Sequence, residues 1–107
     1  MIVVTTEEIS GKNIAEMLGI AQGSVVMAKH LGSDFAAGLR NIVGGEVKGY
    51  TDMMNKSRRE AFNRMVADAK EMGADAIIGM RYSSSTIMGG ASEMLAYGTA
   101  VKIKSAK

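Results

Sequence analysis

Residues 73–79 have the sequence Gly-Ala-Asp-Ala-Ile-Ile-Gly, which predicts a tight turn that leads into a buried strand. The segment before it, residues 50–72, contains no glycine or proline and carries apolar residues at helical spacing. We therefore expect a long helix there, ended by Gly73 at the position that follows the last helical turn. The apolar stripe of this helix consists of Met54, Ala61, Phe62, Met65, Ala69 and Met72.

Two strands, at residues 75–85 and 93–104, are predicted after this turn from their content of β-branched and aromatic residues. The pair Gly89-Gly90 between them favours a loop that closes an antiparallel hairpin. Both faces of the two strands are largely apolar, because small or apolar residues also occupy the alternate positions. One long helix can cover only one face of the sheet, so we expect another copy of the same sheet to cover the other face.

The amino-terminal half of the chain predicts two more strands and a short helix. Residues 2–5 and 14–29 have strand composition, and Gly19 and Gly23 indicate bends or bulges in the longer strand. A short helix is expected at residues 33–43. Together these elements predict one domain, residues 1–107, with an α+β fold of β-α-β-β type in which an antiparallel sheet packs on the long helix and the short helix.

Composition and charge exclude several classes of function. The 13 basic and 11 acidic residues are interspersed, which is not the pattern of a nucleic-acid-binding surface. The chain has no cysteine, so disulfides and thiolate metal sites are excluded. No apolar run approaches the roughly 18 residues of a membrane span, and the amino terminus has no signal-peptide pattern. We expect a cytoplasmic protein that binds neither nucleic acid nor membrane.

Several short motifs follow one another along the chain. They are Gly44-Gly45, Tyr50, Arg58 with Ala61 and Ala69, Gly73-Ala74-Asp75-Ala76 and Gly98-Thr99-Ala100-Val101. In order and spacing they resemble the YbjQ-like family of small bacterial proteins. The resemblance implies a dodecin-like subunit, of which five copies close a ring through their strands. It also brings the heavy-metal-binding label that such families carry.

Arg58 is the most unusual residue of the long helix, because it lies at the centre of the apolar stripe. An unpaired buried charge is costly, so a backbone carbonyl or a carboxylate from Asp34, Glu46 or Asp75 is expected beside it. One interpretation is a structural ion pair. The other is a ligand site in which Arg58, with Asp34 and Tyr50 nearby, binds an anionic group.

His30 is the one candidate metal ligand of the imidazole type. With Met27 it offers an imidazole and a thioether to a soft ion such as Cu(I). A single chain cannot complete a tetrahedral site, because it has no second histidine and no cysteine. Symmetry in a ring of five could supply the missing ligands, and the alternative is a surface histidine without a metal.

The charged side of the long helix alternates in sign through Glu60, Arg64 and Asp68, which predicts a solvated face with ion pairs four residues apart. No spacing of acidic residues indicates paired catalytic carboxylates. Our first hypothesis is therefore a binding module that holds a metal ion or small ligand at subunit boundaries. The alternative is a non-catalytic scaffold whose ring engages another protein, and an enzyme that uses Arg58 to orient an anionic substrate is the third.

Overall fold

Four strands and one helix make up the described part of the fold. The computed structural model describes residues 1–27, 48–86 and 91–106, and of residues 48–50 the backbone alone. The elements are β1 (Ile2–Val3), β2 (Lys12–Met27), α1 (Lys48–Glu71), β3 (Ala76–Thr86) and β4 (Ser92–Ser105). The α+β class is confirmed, and these elements lie close to their predicted positions. The predicted helix at residues 33–43 and the loop at Gly89-Gly90 lie outside the described residues.

The strands form one mixed sheet in the order β1-β3-β4-β2. β4 is antiparallel to both β2 and β3, as expected of the predicted hairpin. β1 is parallel to β3, so the prediction of a fully antiparallel sheet is wrong. Alternation of apolar residues carries no information about strand direction, and the long chain between β1 and β3 supplies the crossover that parallel pairing needs. A hydrogen bond from Met80 N to Val4 O, 3.0 Å long, extends this pairing beyond β1.

Two glycines of β2 have different roles. Gly19 has φ +126° and lies at a shift in the β2–β4 register, which confirms the predicted bulge. A bend or a bulge was also predicted at Gly23, where the register is unbroken, so the bulge is wrong. A Cβ at this position would come within 2.4 Å of Met65 N and 2.5 Å of Ala61 O. Gly23 is therefore explained by the close approach of α1 to β2, which only a residue without a side chain permits.

α1 packs on one face of the sheet through a row of buried residues spaced by four. The row consists of Ser57, Ala61, Met65 and Ala69, and the core beneath it includes Ala21, Ile77, Met80, Met94, Ala96 and Ala100. The helix ends as predicted at Gly73, which has φ +82°. Gly73 N donates to Lys70 O at 3.0 Å and Ala74 N donates to Ala69 O at 3.1 Å, which is the Schellman pattern.

The described residues cover the opposite face of the sheet at one end only. Ala76, Ile78 and Val101 form a second buried cluster there, against which Val4, Ile9 and Ile103 pack. Residues directly opposite in paired strands share a face, so the register places further exposed apolar residues on this side. Ile14 (38% exposed) lies opposite Ile103 at the covered end. Four others, which we call the open face, are Met17 (69% exposed), Ile20 (68%), Val26 (58%) and Tyr97 (37%). The expectation of an uncovered apolar face is thus confirmed for the described residues.

Candidate functional site

A groove lies where the end of β2 meets the amino-terminal half of α1. It has a volume of about 500 Å³ and a mostly apolar lining. The lining residues are Val25, Val26, Met27, Asp52, Met53, Lys56, Ser57 and Glu60. Met27 and Ser57 are buried in its wall, and Ser57 Oγ donates to Met53 O at 2.9 Å. The hydroxyl is thus satisfied within the helix, which leaves the groove with apolar walls and charged side chains from α1.

Arg58 lies beside this region but does not form the predicted carboxylate pair with Asp75. Its Nη2 donates to Asn55 Oδ1, within the same helix, and the residue is only partly buried. Asp75 lies beyond the other end of α1, about 20 Å away at 1.5 Å per residue. Its Oδ2 instead accepts a hydrogen bond from Ile103 N at 3.0 Å.

The phase of the helix explains why Arg58 is less buried than its position in the sequence predicts. The row that faces the sheet at this end begins with Ser57, the neighbouring residue, so Arg58 lies at the border of the packed face. A helical wheel gives the width of an apolar stripe. Which row of residues within that stripe is most buried depends on how the helix packs on the sheet. Asp34 and Glu46, the other proposed partners, lie outside the described residues.

The remaining predicted site residues stay predictions. The backbone of Tyr50 is in the first turn of α1, while His30 lies outside the described residues. Met27, the proposed thioether ligand, is buried at the end of β2. Within residues 1–27, 48–86 and 91–106 no three His, Cys, Asp or Glu side chains are close enough to hold a metal ion.

A second set of contacts joins α1 to the outer edge of β2, and sequence reasoning missed it. Gln22 N donates to Asp68 Oδ2 at 2.9 Å, and Arg64 Nη1 donates to Ser24 O at 2.7 Å. Arg64 Nη2 also lies 3.4 Å from Glu60 Oε1, which confirms the predicted pairing along the helix. The signal in the sequence was the series Glu60, Arg64, Asp68 at intervals of four. Without knowledge that β2 is an edge strand, this series predicts only a solvated face.

The described elements define a class of small α+β proteins in which one long helix packs on a four-stranded mixed sheet. A crystal structure of a protein of unknown function from Pediococcus pentosaceus, described as a member of the DUF74 family, has a similar fold. The TM-score is 0.59 and the identity 19%, over 97% of this chain and 98% of that chain. Among the described residues no helix has the length and apolar character that crossing a bilayer requires.

The family follows from sequence comparison. Residues 1–104 match the model of the YbjQ_1 family, which is described as "Putative heavy-metal-binding". A UPF0145 protein of Thermotoga maritima is 56% identical over 104 residues, which are 97% of this chain and 98% of that protein. A UPF0145 protein of the archaeon Methanosarcina acetivorans is 54% identical over 103 residues, 96% of this chain and 97% of that protein. The chain belongs to the YbjQ_1 family, and the resemblance found in its motifs is confirmed.

Proposed function

We propose that this protein is a cytoplasmic subunit of a homo-oligomer, a ring of five dodecin-like copies, that binds a metal ion or a small ligand where subunits meet. The open face is the observation that carries the proposal. Met17, Ile20 and Val26 each expose more than half of their surface on a sheet whose other side is packed against α1. Large apolar side chains grouped on one exposed face of a sheet are characteristic of surfaces that other molecules cover.

The expected gain from covering the open face is substantial. Complete burial of one aliphatic or methionine side chain is worth about 1.5–3 kcal/mol relative to leaving it exposed. In a homo-oligomer each such residue is present on every copy, so the contributions accumulate around the ring. The edges of the sheet, β1 and β2, would add to these contacts only where their backbone groups are not already bonded.

The binding part of the proposal follows from what a single subunit lacks. The chain has one histidine and no cysteine, and the described residues contain no group of three potential ligands. A metal site therefore needs ligands from several copies, and His30 is the residue whose repetition would provide imidazoles. Met27 precedes it by three positions and lines the groove, so the groove is the proposed neighbourhood of the shared site. Arg58, Asp34 and Tyr50 are the proposed ligand-binding residues if the bound species is an anionic small molecule.

Sedimentation velocity tests the assembly. We expect the wild type to sediment as a discrete oligomer and Ile20→Lys to dissociate it, because a lysine in the middle of the open face would have to be desolvated on association. Asn63→Lys is the control, since Asn63 is exposed on α1 and the substitution adds the same charge elsewhere. A wild type that remains a single subunit at micromolar concentration, or an Ile20→Lys variant that assembles normally, would refute the proposal.

Elemental analysis, followed by titration with Cu(I), Zn(II) and Ni(II), tests the metal site. We expect an ion to bind in a fixed ratio to the ring and expect His30→Ala to abolish that binding without dissociating the ring. Stoichiometric binding that survives His30→Ala would show that the site lies elsewhere. If no ion binds, the small-ligand form of the proposal is tested next with Arg58→Met, which should retain assembly and lose ligand.

The second candidate function is a non-catalytic scaffold whose ring engages another protein. It is favoured by the composition of the described residues, which do not bring together a set of metal ligands. A pull-down with the assembled ring should then recover one partner in a fixed ratio, and the Asn63→Lys variant should recover it equally. Recovery of no stoichiometric partner counts against the scaffold and leaves the binding module.

A further inference from the structure

β2 is an edge strand of an unusual kind. In the described sheet its one strand neighbour is β4, so the backbone groups on its other side point away from the sheet. Residues 17–27 contain no charged residue and no proline. Lysine, proline and inward-pointing charges are the usual features that prevent an edge strand from pairing with a strand of another molecule. The sequence of β2 itself therefore has none of these features over eleven consecutive positions.

Two charged side chains of α1 form hydrogen bonds with backbone groups on this edge. The amide of Gln22 is bonded to Asp68 Oδ2 at 2.9 Å, and the carbonyl of Ser24 accepts from Arg64 Nη1 at 2.7 Å. Residues two apart in a strand direct their backbone groups to the same side, so both bonds lie on the outer edge. Glu60, 3.4 Å from Arg64 Nη2, holds the guanidinium from the helix side. These two backbone groups are among those that an incoming antiparallel strand would bond.

We infer that Asp68 and Arg64 close the outer edge of β2 to the addition of a strand from another copy of this chain. The bonded groups lie near the middle of the uncharged segment, so the nearest remaining outward-facing residues are Ile20 on one side and Val26 on the other. A strand that approached the edge would meet two charged side chains at the centre of its pairing. The closure concerns the bonded part of this edge, whereas the proposed ring contact rests mainly on the open face.

The double variant Asp68→Ala/Arg64→Ala of the full chain tests the inference. It removes one negative and one positive charge, so the net charge is unchanged. We expect association that increases with concentration, a thioflavin signal and an infrared band of intermolecular β-structure, because an unprotected edge strand is a template for aggregation. The ring of the proposed function, in contrast, would have one discrete mass.

Three controls separate edge closure from a general loss of stability. Lys70→Ala/Glu71→Ala removes the same two charges from the last turn of α1 and should behave as the wild type. Ala69→Gly weakens the same helix without altering either edge bond and should not associate. Asp68→Asn retains an oxygen that can accept from Gln22 N, so it should remain closer to the wild type than Asp68→Ala.

The result that would overturn the inference is a folded double variant whose sedimentation and infrared spectrum match those of the wild type at every concentration at which both dissolve. Association of Ala69→Gly to the same extent would overturn it as well, since the cause would then be instability. If the double variant does not fold, the single variants decide. Asp68→Ala and Arg64→Ala should each associate more slowly than the rate expected for the double variant, but faster than Lys70→Ala/Glu71→Ala. Association at the same rate as that control would refute the closure.

Discussion

The two faces of β2 carry residues of different size. The larger apolar residues lie on the more exposed face, which is the opposite of what a simple inside-outside rule predicts. Toward α1 the strand presents Ala21 and Gly23, both buried, whereas Ile20 and Val26 lie on the open face and are more than half exposed. The small residues are required where the helix backbone comes close to the strand. The larger apolar residues lie where the described part of the chain covers nothing, and the proposed ring contact would cover them.

The largest effect is expected from Gly23→Val, which breaks the packed face. Its Cβ would lie 2.4 Å from Met65 N and 2.5 Å from Ala61 O, and backbone atoms of a helix cannot move individually. We expect a loss of at least about 3 kcal/mol in the free energy of unfolding, at the upper end of the range for overpacking. Urea denaturation measures it, with Gln22→Ala as the control on the adjacent position. A Gly23→Val variant as stable as the wild type would contradict the close approach of α1.

The next prediction compares two substitutions, one in the core between α1 and the sheet and one on the open face. Met65→Ala empties a fully buried site and should cost about 2–5 kcal/mol. Met17→Ala truncates a side chain that is 69% exposed and should cost much less in the unfolding of dilute protein. If copies cover the open face, the cost of Met17→Ala rises with protein concentration while that of Met65→Ala does not. Equal costs for the two variants in dilute protein would show that the open face is already covered within one chain.

The smallest effect is expected from Arg58→Met, at the border of the packed face. Because Arg58 is partly exposed and bonded to Asn55 of its own helix, its removal should change the free energy of unfolding by about 1 kcal/mol or less. Thermal unfolding measures this change. Asn55→Ala, which removes the other partner of the same hydrogen bond, is measured for comparison. A loss of several kcal/mol would show that Arg58 has a buried carboxylate partner after all.

Local signals in the sequence predicted the parts of the fold that local chemistry determines. The helical spacing before Gly73 and the need for positive φ at that glycine are properties of neighbouring residues, so α1 and its end were predicted correctly. The direction of β1 and the role of Gly23 depend on elements far away in the chain. Their prediction therefore failed, although the glycine itself was recognised as special.

The candidate site was predicted less well, for the same reason. The stripe of α1 was correct, but the sheet shifted its centre from Arg58 to the row that begins with Ser57. The bonds of Asp68 and Arg64 to β2 could not be predicted, because no pattern within α1 indicates that an edge strand runs beside it. His30 and Asp34 stay predictions.

The pairing of β2 with β4 has a consequence for the order in which the molecule can form. The register runs from Lys12 with Ser105 to Met27 with Ser92, so β2 pairs with a strand that is synthesised much later, after α1 and β3. A growing chain therefore carries β2, with its uncharged residues 17–27, without its strand partner until β4 has been synthesised, a stage at which exposed strands are prone to aggregate. Completion of the sheet must wait until β4 has left the ribosome.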